Sequence, residues 1–230
     1  MVCYPVPEYD EMRAHTLYRN AIVPLLGNFR GGLFLHGSAV RVDANGVEGA
    51  GAVAFLGLSR SGKTTLAGAF ARCGHPFLTE DVIELERTDG AYLLQPKHTP
   101  LRLFADSAAH LLSDQIANDA INEKREIESD DTLPFAAHAA PLRHIYILGK
   151  DHAATLATRK LSLSEALPAI MPHAFILDVE DKVRLKAHFG RLADLTQHIP
   201  CYTLDFPRDY SELPSVMEHV LERYRQGPEA

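Results

Sequence analysis

The chain has no run near the roughly 18 consecutive apolar residues that cross a bilayer, so no membrane association is expected of it. Its opening residues, Met1-Val2-Cys3-Tyr4-Pro5, hold no basic stretch followed by an apolar one and do not read as a secretory signal. Cysteine is scarce: Cys3, Cys73 and Cys201 are odd in number and far apart, which argues against a disulfide framework and against a zinc site. These absences together give a reducing, cytoplasmic location as the expectation. Basic charge is also short, with 23 Lys and Arg against 30 Asp and Glu and a formal net charge of −7. A polyanion-binding protein needs a basic face, so nucleic acid is not expected as a partner. There is no internal repeat, no low-complexity tract, and no His-x-x-x-His or Cys-x-x-Cys spacing. The 12 histidines therefore read as surface and packing residues.

What is present is ordinary for a soluble fold: 230 residues, 46% hydrophobic and 23% charged. The pattern predicts an N-terminal arm over 1–26 with a helix Glu11 to Ala21 stopped by Pro24. Short strands follow at Leu33 to His36 and Ala39 to Val42, then a turn at Asn45-Gly46. Ala52 to Leu56 is continuously small and apolar, as in a buried central strand. A helix over Lys63 to Arg72 ends before Gly74 and Pro76. Asp81 to Glu86 and Ala91 to Leu94 flank Asp89-Gly90 as a hairpin. Leu103 to Leu112 reads as helix, and Ile116 to Leu133 as a polar segment with a mobile loop at Glu128 to Thr132. Strands are expected at Arg143 to Leu148, Thr155 to Lys160 and Cys201 to Leu204, and helices at Ser164 to Ala169, Val183 to Leu195 and Leu213 to Arg225. The order predicts a single α/β domain over 1–230, with a core at about 30–205, a C-terminal helix at about 211–225, and a mixed, partly antiparallel sheet flanked by helices.

One motif carries chemistry. Gly57-Leu58-Ser59-Arg60-Ser61-Gly62-Lys63-Thr64 satisfies G-x-x-x-x-G-K-[ST], with a strand before it and a helix after it. Glycines let successive N–H groups converge on phosphate oxygens, and the helix start adds the positive end of its dipole. Gly57, Ser59, Arg60, Ser61, Gly62, Lys63, Thr64 and Thr65 are thus the expected nucleotide-binding residues, with ATP and Mg²⁺ as the expected ligands. Lys63 reaches the outer phosphates, and the Thr64 hydroxyl can coordinate Mg²⁺.

Two further features flank the loop. His36 lies upstream in Leu35-His36-Gly37-Ser38, and Glu80-Asp81 follows the helix in Phe77-Leu78-Thr79-Glu80-Asp81-Val82. A carboxylate beside a phosphate loop binds Mg²⁺, and its neighbour can accept the proton of an attacking hydroxyl. Taken singly, the acidic pair is equally a solvated turn, and His36 equally a hydrogen-bonded strand-end residue.

In combination, the stretch Leu35 to Leu85 resembles the catalytic core of the HPr kinase/phosphorylase family. The likeness runs through His36-Gly37, the phosphate loop, Gly74-His75 and Glu80-Asp81-Val82. The resemblance implies a fold related to phosphoenolpyruvate carboxykinases and phosphoryl transfer from a nucleotide to a serine of a protein. It makes Lys63 and Thr64 the phosphate-binding lysine and metal-binding hydroxyl, His36 the active-site histidine, Glu80 the base and Asp81 the second metal partner. Glu80 stands where the family has aspartate. The family's Glu-Ile-Arg-Gly signature survives only as Pro100-Leu101-Arg102-Leu103, which leaves Arg102 as a phosphate contact. Pro141-Leu142-Arg143-His144 resembles another arginine segment, giving Arg143 a similar expected role. Neither the separate N-terminal domain of long members nor the region tied to reverse phosphorolysis has a counterpart.

The short form is similar to stand-alone serine kinases of this family, including those that modify the C-terminal residue of lasso-peptide precursors. The expected partner is therefore a peptide or protein with an acceptor serine, and homo-oligomerisation stays open. Lys124 and Arg125, in the polar segment, are candidates for closing over the site and stabilising transferred charge; a solvated helix face is the plainer alternative. A small-molecule kinase on the same loop, or a nucleotide-dependent sensor without catalysis, are the rival functions.

Overall fold

The computed structural model describes residues 10–43, 50–112, 124–149 and 153–227; the turn expected at Asn45-Gly46 and residues 116–123 of the polar segment lie outside them. In chain order the elements are α1 (Glu11–Leu17), a π-helical turn (Tyr18–Ile22), α2 (Val23–Phe29), β1 (Leu33–Val42), β2 (Gly51–Leu56), α3 (Lys63–Arg72), β3 (Phe77–Thr79), β4 (Val82–Thr88), β5 (Ala91–Gln95), β6 (Leu101–Phe104), α4 (Ala105–Leu112), β7 (Lys124–Ile127), β8 (Ala140–Leu148), β9 (Ala157–Lys160), α5 (Leu163–Ile170), α6 (Lys182–His198), β10 (Cys201–Asp205) and α7 (Leu213–Gln226). This is a mixed α/β fold whose large, mostly antiparallel sheet is flanked by helices.

The eight-stranded sheet is bent around two strands that serve both its halves. The first half of β1, Leu33 to His36, pairs with β4, while its second half, Gly37 to Val42, pairs with β2. The start of β8 pairs antiparallel with β5, and its remainder runs parallel between β2 and β10. β2, β1, β4, β5 and β8 thereby close a ring, and β10 and β9 extend from β8. Gly37 sits at the crease of β1, where β2 and β4 both come against it.

Both faces of β2 are covered, which explains its unbroken apolar run. Val53 and Phe55 enter a core formed with α3, α4 and α7, through Leu66, Phe70, Leu111 and Val216. Ala52, Ala54 and Leu56, one residue out of step, enter a second core with α5 and α6, through Ile170, Leu192 and Leu195. Leu66 and Phe70 of α3 are fully buried, each contributing about 1.5–3 kcal/mol relative to exposure. α3 ends as its sequence requires: Gly74 takes φ 86°, and His75 N–H reaches back to Phe70 O at 3.0 Å.

Four readings of the sequence are corrected. Pro24 does not stop the first helix, because the preceding turn is widened: Val23 N–H donates to Tyr18 O, five residues back, and the chain continues as α2. The wider turn relieves the proline ring's clash with the carbonyl four residues earlier. The two strands expected at 33–42 are one. The helix at 103–112 begins only at Ala105, because Leu101 to Phe104 pair with Ile127 to Lys124 as a separate two-stranded ribbon. Lys124 and Arg125 accordingly belong to a strand. The expected hairpin is present, with Asp89 at φ 51° and Gly90 at φ 81° in a two-residue turn. No helix among the described residues is long and apolar enough to cross a membrane.

Candidate active site

At the carboxyl end of β2 the chain enters the glycine-rich loop and leaves it as α3. Gly62 takes φ 92°, which favours glycine, and no side chain caps the helix behind it. The first-turn N–H groups therefore face the loop, as in an anion seat. Lys63 is 7% exposed; its Nζ folds back to Gly57 O at 2.9 Å and Leu58 O at 2.8 Å. Gly57 is held to hydrogen by Ser61, whose Oγ would lie 2.5 Å from a Cβ there.

The acidic pair arises from an irregularity in strand pairing. β3 and β4 lie end to end along the same edge of β1, with Thr79 opposite Ala39 and Val82 opposite His36. Glu80 and Asp81 form the kink between them, opposite Gly37 and Ser38. Asp81 takes φ 65°, costly for a residue with a side chain. The kink is held by Thr79 Oγ1 donating to Val82 O at 2.6 Å, Val82 N–H to Glu80 O at 2.8 Å and Gly37 N–H to Asp81 O at 3.3 Å. Bulges of this kind re-aim side chains beside a site.

The two carboxylates sit in different surroundings. Glu80 is 2% exposed; its Oε1 accepts from Thr64 Oγ1 at 3.0 Å and its Oε2 from Arg102 N–H at 3.3 Å. Asp81 lines the cavity, and its Oδ2 accepts from Asn20 Nδ2 at 2.9 Å and from Arg102 Nη1 at 3.3 Å. Asn20 comes from the widened turn that carries the chain past Pro24.

A cavity of about 560 Å³ opens above these groups, lined by His36, the loop residues Ser59 to Thr65, Asp81 and Arg102. Its far wall is the segment after β10, Phe206 to Tyr210, together with Phe104 and Ser107. Arg60 lies 5.3 Å over the Phe104 ring. Thr65 Oγ1 is 3.0 Å from Ser107 Oγ, which is 3.1 Å from Tyr210 OH. Arg208 donates through Nη2 to Gly149 O at 2.7 Å and Asp205 Oδ1 at 3.1 Å, while its buried Nη1 has no partner among the described residues. His173 approaches from the other side. Burial chiefly, then the charges of Lys63 and His36, push its pKa down to about 4, so the ring is neutral near pH 7.

Of the residues singled out from sequence, His36, Ser59 to Thr65, Asp81 and Arg102 line one cavity, with Gly57 and Glu80 directly behind it. Lys124 and Arg125 pair through their backbone with Phe104 and Leu103, which line it. Arg143 is not brought in. It is exposed on β8 with its Cγ 2.6 Å from where a Cβ on Gly51 would lie, so it stands at the opposite end of β2. From Gly51 to Gly57 is about 20 Å of strand. Arg208, Ser107, Tyr210, His173 and Asn20 were not anticipated. The one local sign was a polar Arg208-Asp209 directly beyond a strand end.

For Mg²⁺ the donors fit: Thr64 Oγ1 and Glu80 Oε1 already touch, both are hard oxygens, and Mg²⁺ needs only one or two protein ligands beside phosphate oxygens. No cluster of three or more His, Cys, Asp or Glu among the described residues is arranged to hold a metal unaided.

No family model matches the chain, and no curated protein matches it. A solved structure, the Hpr(Ser) kinase/phosphatase from Coxiella burnetii, matches over 84% of this chain and 96% of its own, at 13% identity and a TM-score of 0.42. So distant a likeness transfers no chemistry to these residues.

Proposed function

We propose that the protein is an ATP-dependent kinase that transfers the γ-phosphoryl group to a serine hydroxyl of a peptide or protein. The observation that carries this reading is the part-buried contact between Thr64 Oγ1 and Glu80 Oε1 beneath a cavity that also holds Lys63, His36 and Asp81. The hydroxyl and ammonium come from the start of α3, the carboxylates from the kink between β3 and β4 and the imidazole from β1, and they converge where the loop opens.

The geometry favours exchanging the roles expected for the two acids. Glu80, buried against Thr64, is the one to share Mg²⁺ with that hydroxyl. Bound there, the ion neutralises phosphate charge. Asp81 reaches the cavity and keeps Oδ1 unbonded among the described residues, while Asn20 and Arg102 orient it through Oδ2. Oδ1 then takes the proton of the acceptor serine as its oxygen bonds the γ-phosphorus. The bond from that phosphorus to the β–γ bridging oxygen breaks, and its electron pair leaves with ADP. Lys63 exchanges its two carbonyl partners for phosphate oxygens, and Arg208 Nη1 supplies a further donor to the charge that develops. His36 stands beside Asp81 and positions the acceptor.

Incubation with ATP, Mg²⁺ and serine peptides, followed by mass spectrometry, tests the reading. A phosphate increment on serine that vanishes in Asp81→Asn while ATP binding persists supports it; ATP hydrolysis indifferent to any acceptor hydroxyl overturns it. The likeness to lasso-precursor kinases makes peptides ending in serine the first to try.

A further inference from the structure

Away from the loop, a second hollow of about 400 Å³ lies between α2 and α6, walled by residues 176–178. Its polar groups are almost all donors. His188 is 2% exposed, and its Nδ1 lies 2.8 Å from Asn28 Nδ2. Asn28 Nδ2 is an amide donor that also faces Gly32 O at 3.4 Å, so Nδ1 accepts and the ring proton sits on Nε2. That buried Nε2–H meets no acceptor among the described residues, and neither does buried Arg191 Nε. Burial, then the charge of Arg191, holds His188 below its ordinary pKa and keeps this tautomer neutral.

Arg30 and Arg191 make no ion pair among the described residues. Arg184 is anchored by Phe29 O at 2.7 Å and Asp181 at 3.0 Å, and stacks 3.8 Å over the Phe29 ring. The acid in the lining, Asp178, turns Oδ1 to its own backbone, accepting from Glu180 N–H and Asp181 N–H. Three guanidiniums and a buried N–H beside one carboxylate whose Oδ1 is already bonded, in a chain of net charge −7, form a seat for a group that only accepts hydrogen bonds. Leu177, Val179 and Val183, exposed by 47%, 65% and 80%, flank it with aliphatic surface.

The hollow adjoins the candidate active site. Phe175 N–H donates to Phe34 O at 3.1 Å, Ala174 bridges to Leu35, and the Phe175 ring is 6.5 Å from that of His36. The segment that closes the hollow thus begins beside His36. Gly31 in the hollow and His36 in the cavity are five residues apart in sequence, no more than about 17 Å along the chain.

We propose that this hollow docks a carboxylate of the peptide acceptor, holding an acidic side chain or terminus within about five extended residues of the reacting hydroxyl. What the docking serves rests on the kinase reading; the binding itself does not. The probes are fluorescein-labelled peptides with a glutamate, flanked by leucines, five residues before or after a serine, and their glutamine counterparts, read by anisotropy without nucleotide. The acidic form should bind at least about tenfold tighter in one of the two orders. That preference should shrink to within about twofold in Arg30→Gln/Arg191→Gln and only part of the way in Arg191→Gln alone, while a fluorescent ATP analogue binds both variants as it binds the wild type. Equal binding of acidic and amide peptides, or a preference that survives the double variant, overturns the proposal. If the charge preference and its loss are seen but no peptide gains phosphate, the kinase reading fails and the docking site stands.

Discussion

Two donor-lined hollows among the described residues are built in opposite ways. The cavity above the loop takes the groups proposed to face phosphate mainly from consecutive residues, Gly57 to Thr65, arranged by one strand end and one helix start. The hollow between α2 and α6 takes its donors from Asn28 to Gly31 and from residues about 160 positions later. Both turn on a glycine in the left-handed region, Gly62 at φ 92° and Gly31 at φ 98°. A contiguous loop presents fixed backbone N–H groups and tolerates little change. An assembled pocket presents long side chains that share the work, so single losses there are milder.

This contrast can be broken by experiment, beginning with the largest effect. Lys63→Ala should lower phosphoryl transfer by about a thousandfold or more, measured as ADP formation with an acceptor peptide; turnover within tenfold of wild type would remove the loop from the mechanism. Glu80→Gln should cost about a hundredfold and weaken the Mg²⁺ dependence of ATP binding. Asp81→Asn should cost as much in transfer while leaving that dependence alone. The opposite pattern restores the roles read from the sequence. Arg208→Gln should cost between about tenfold and a hundredfold in kcat with ADP affinity little changed, separating charge stabilisation from nucleotide binding.

Acid should weaken the fold through its buried neutral histidines, of which His173 and His188 lie beside the two hollows and His144 lies in β8. His173, lowered to about 4, stays unprotonated in the folded chain where the unfolded chain, near 6.5, already binds a proton. Its contribution is therefore full above pH 6.5 and is lost as pH falls toward 4, by up to roughly 3 kcal/mol. His188 is lowered in the same direction. Urea midpoints at pH 7.5 and 5 should separate in the wild type and converge partly in His173→Gln. The smallest change is Gly31→Ala, where a side chain has room but the backbone angle does not suit it; about 1 kcal/mol of stability should be lost with ATP binding intact.

The same contrast explains what could be read from the sequence. The β2–loop–α3 unit was legible because every requirement is local: an apolar run, glycines where φ is positive, a lysine and a threonine at fixed offsets, and Gly74 to end the helix. The Asp89-Gly90 hairpin was legible for the same reason. β3 was missed because three residues leave no periodicity, yet its end-on alignment with β4 is what kinks the chain at Glu80-Asp81. The end of β6 was absorbed into the helix after it because Leu103 and Phe104 run on from Ala105 to Leu112 with a helical pattern and the partner strand lies beyond residue 120. Arg143 was misplaced because a motif fixes position in sequence, while a strand sends its two ends to opposite sides of a sheet. Arg208, His173 and the hollow at His188 belong to contacts between distant segments, on which spacing is silent.

Gly37 works as a gauge. A methyl on its Cα would stand 2.6 Å from Phe55 O, 2.7 Å from Leu56 Cδ2 and 2.9 Å from Ile83 Cδ1, so a single hydrogen sets how closely the strand bearing His36 approaches the strand that feeds the loop. The separation between the two halves of the cavity is thus machined by a missing side chain rather than by any reactive group. Gly37→Ala would act as a shim of known thickness, widening the site while leaving every acid, base and cation in the chain. Proximity could then be varied apart from chemistry, by changing a position that has neither charge nor hydroxyl to contribute.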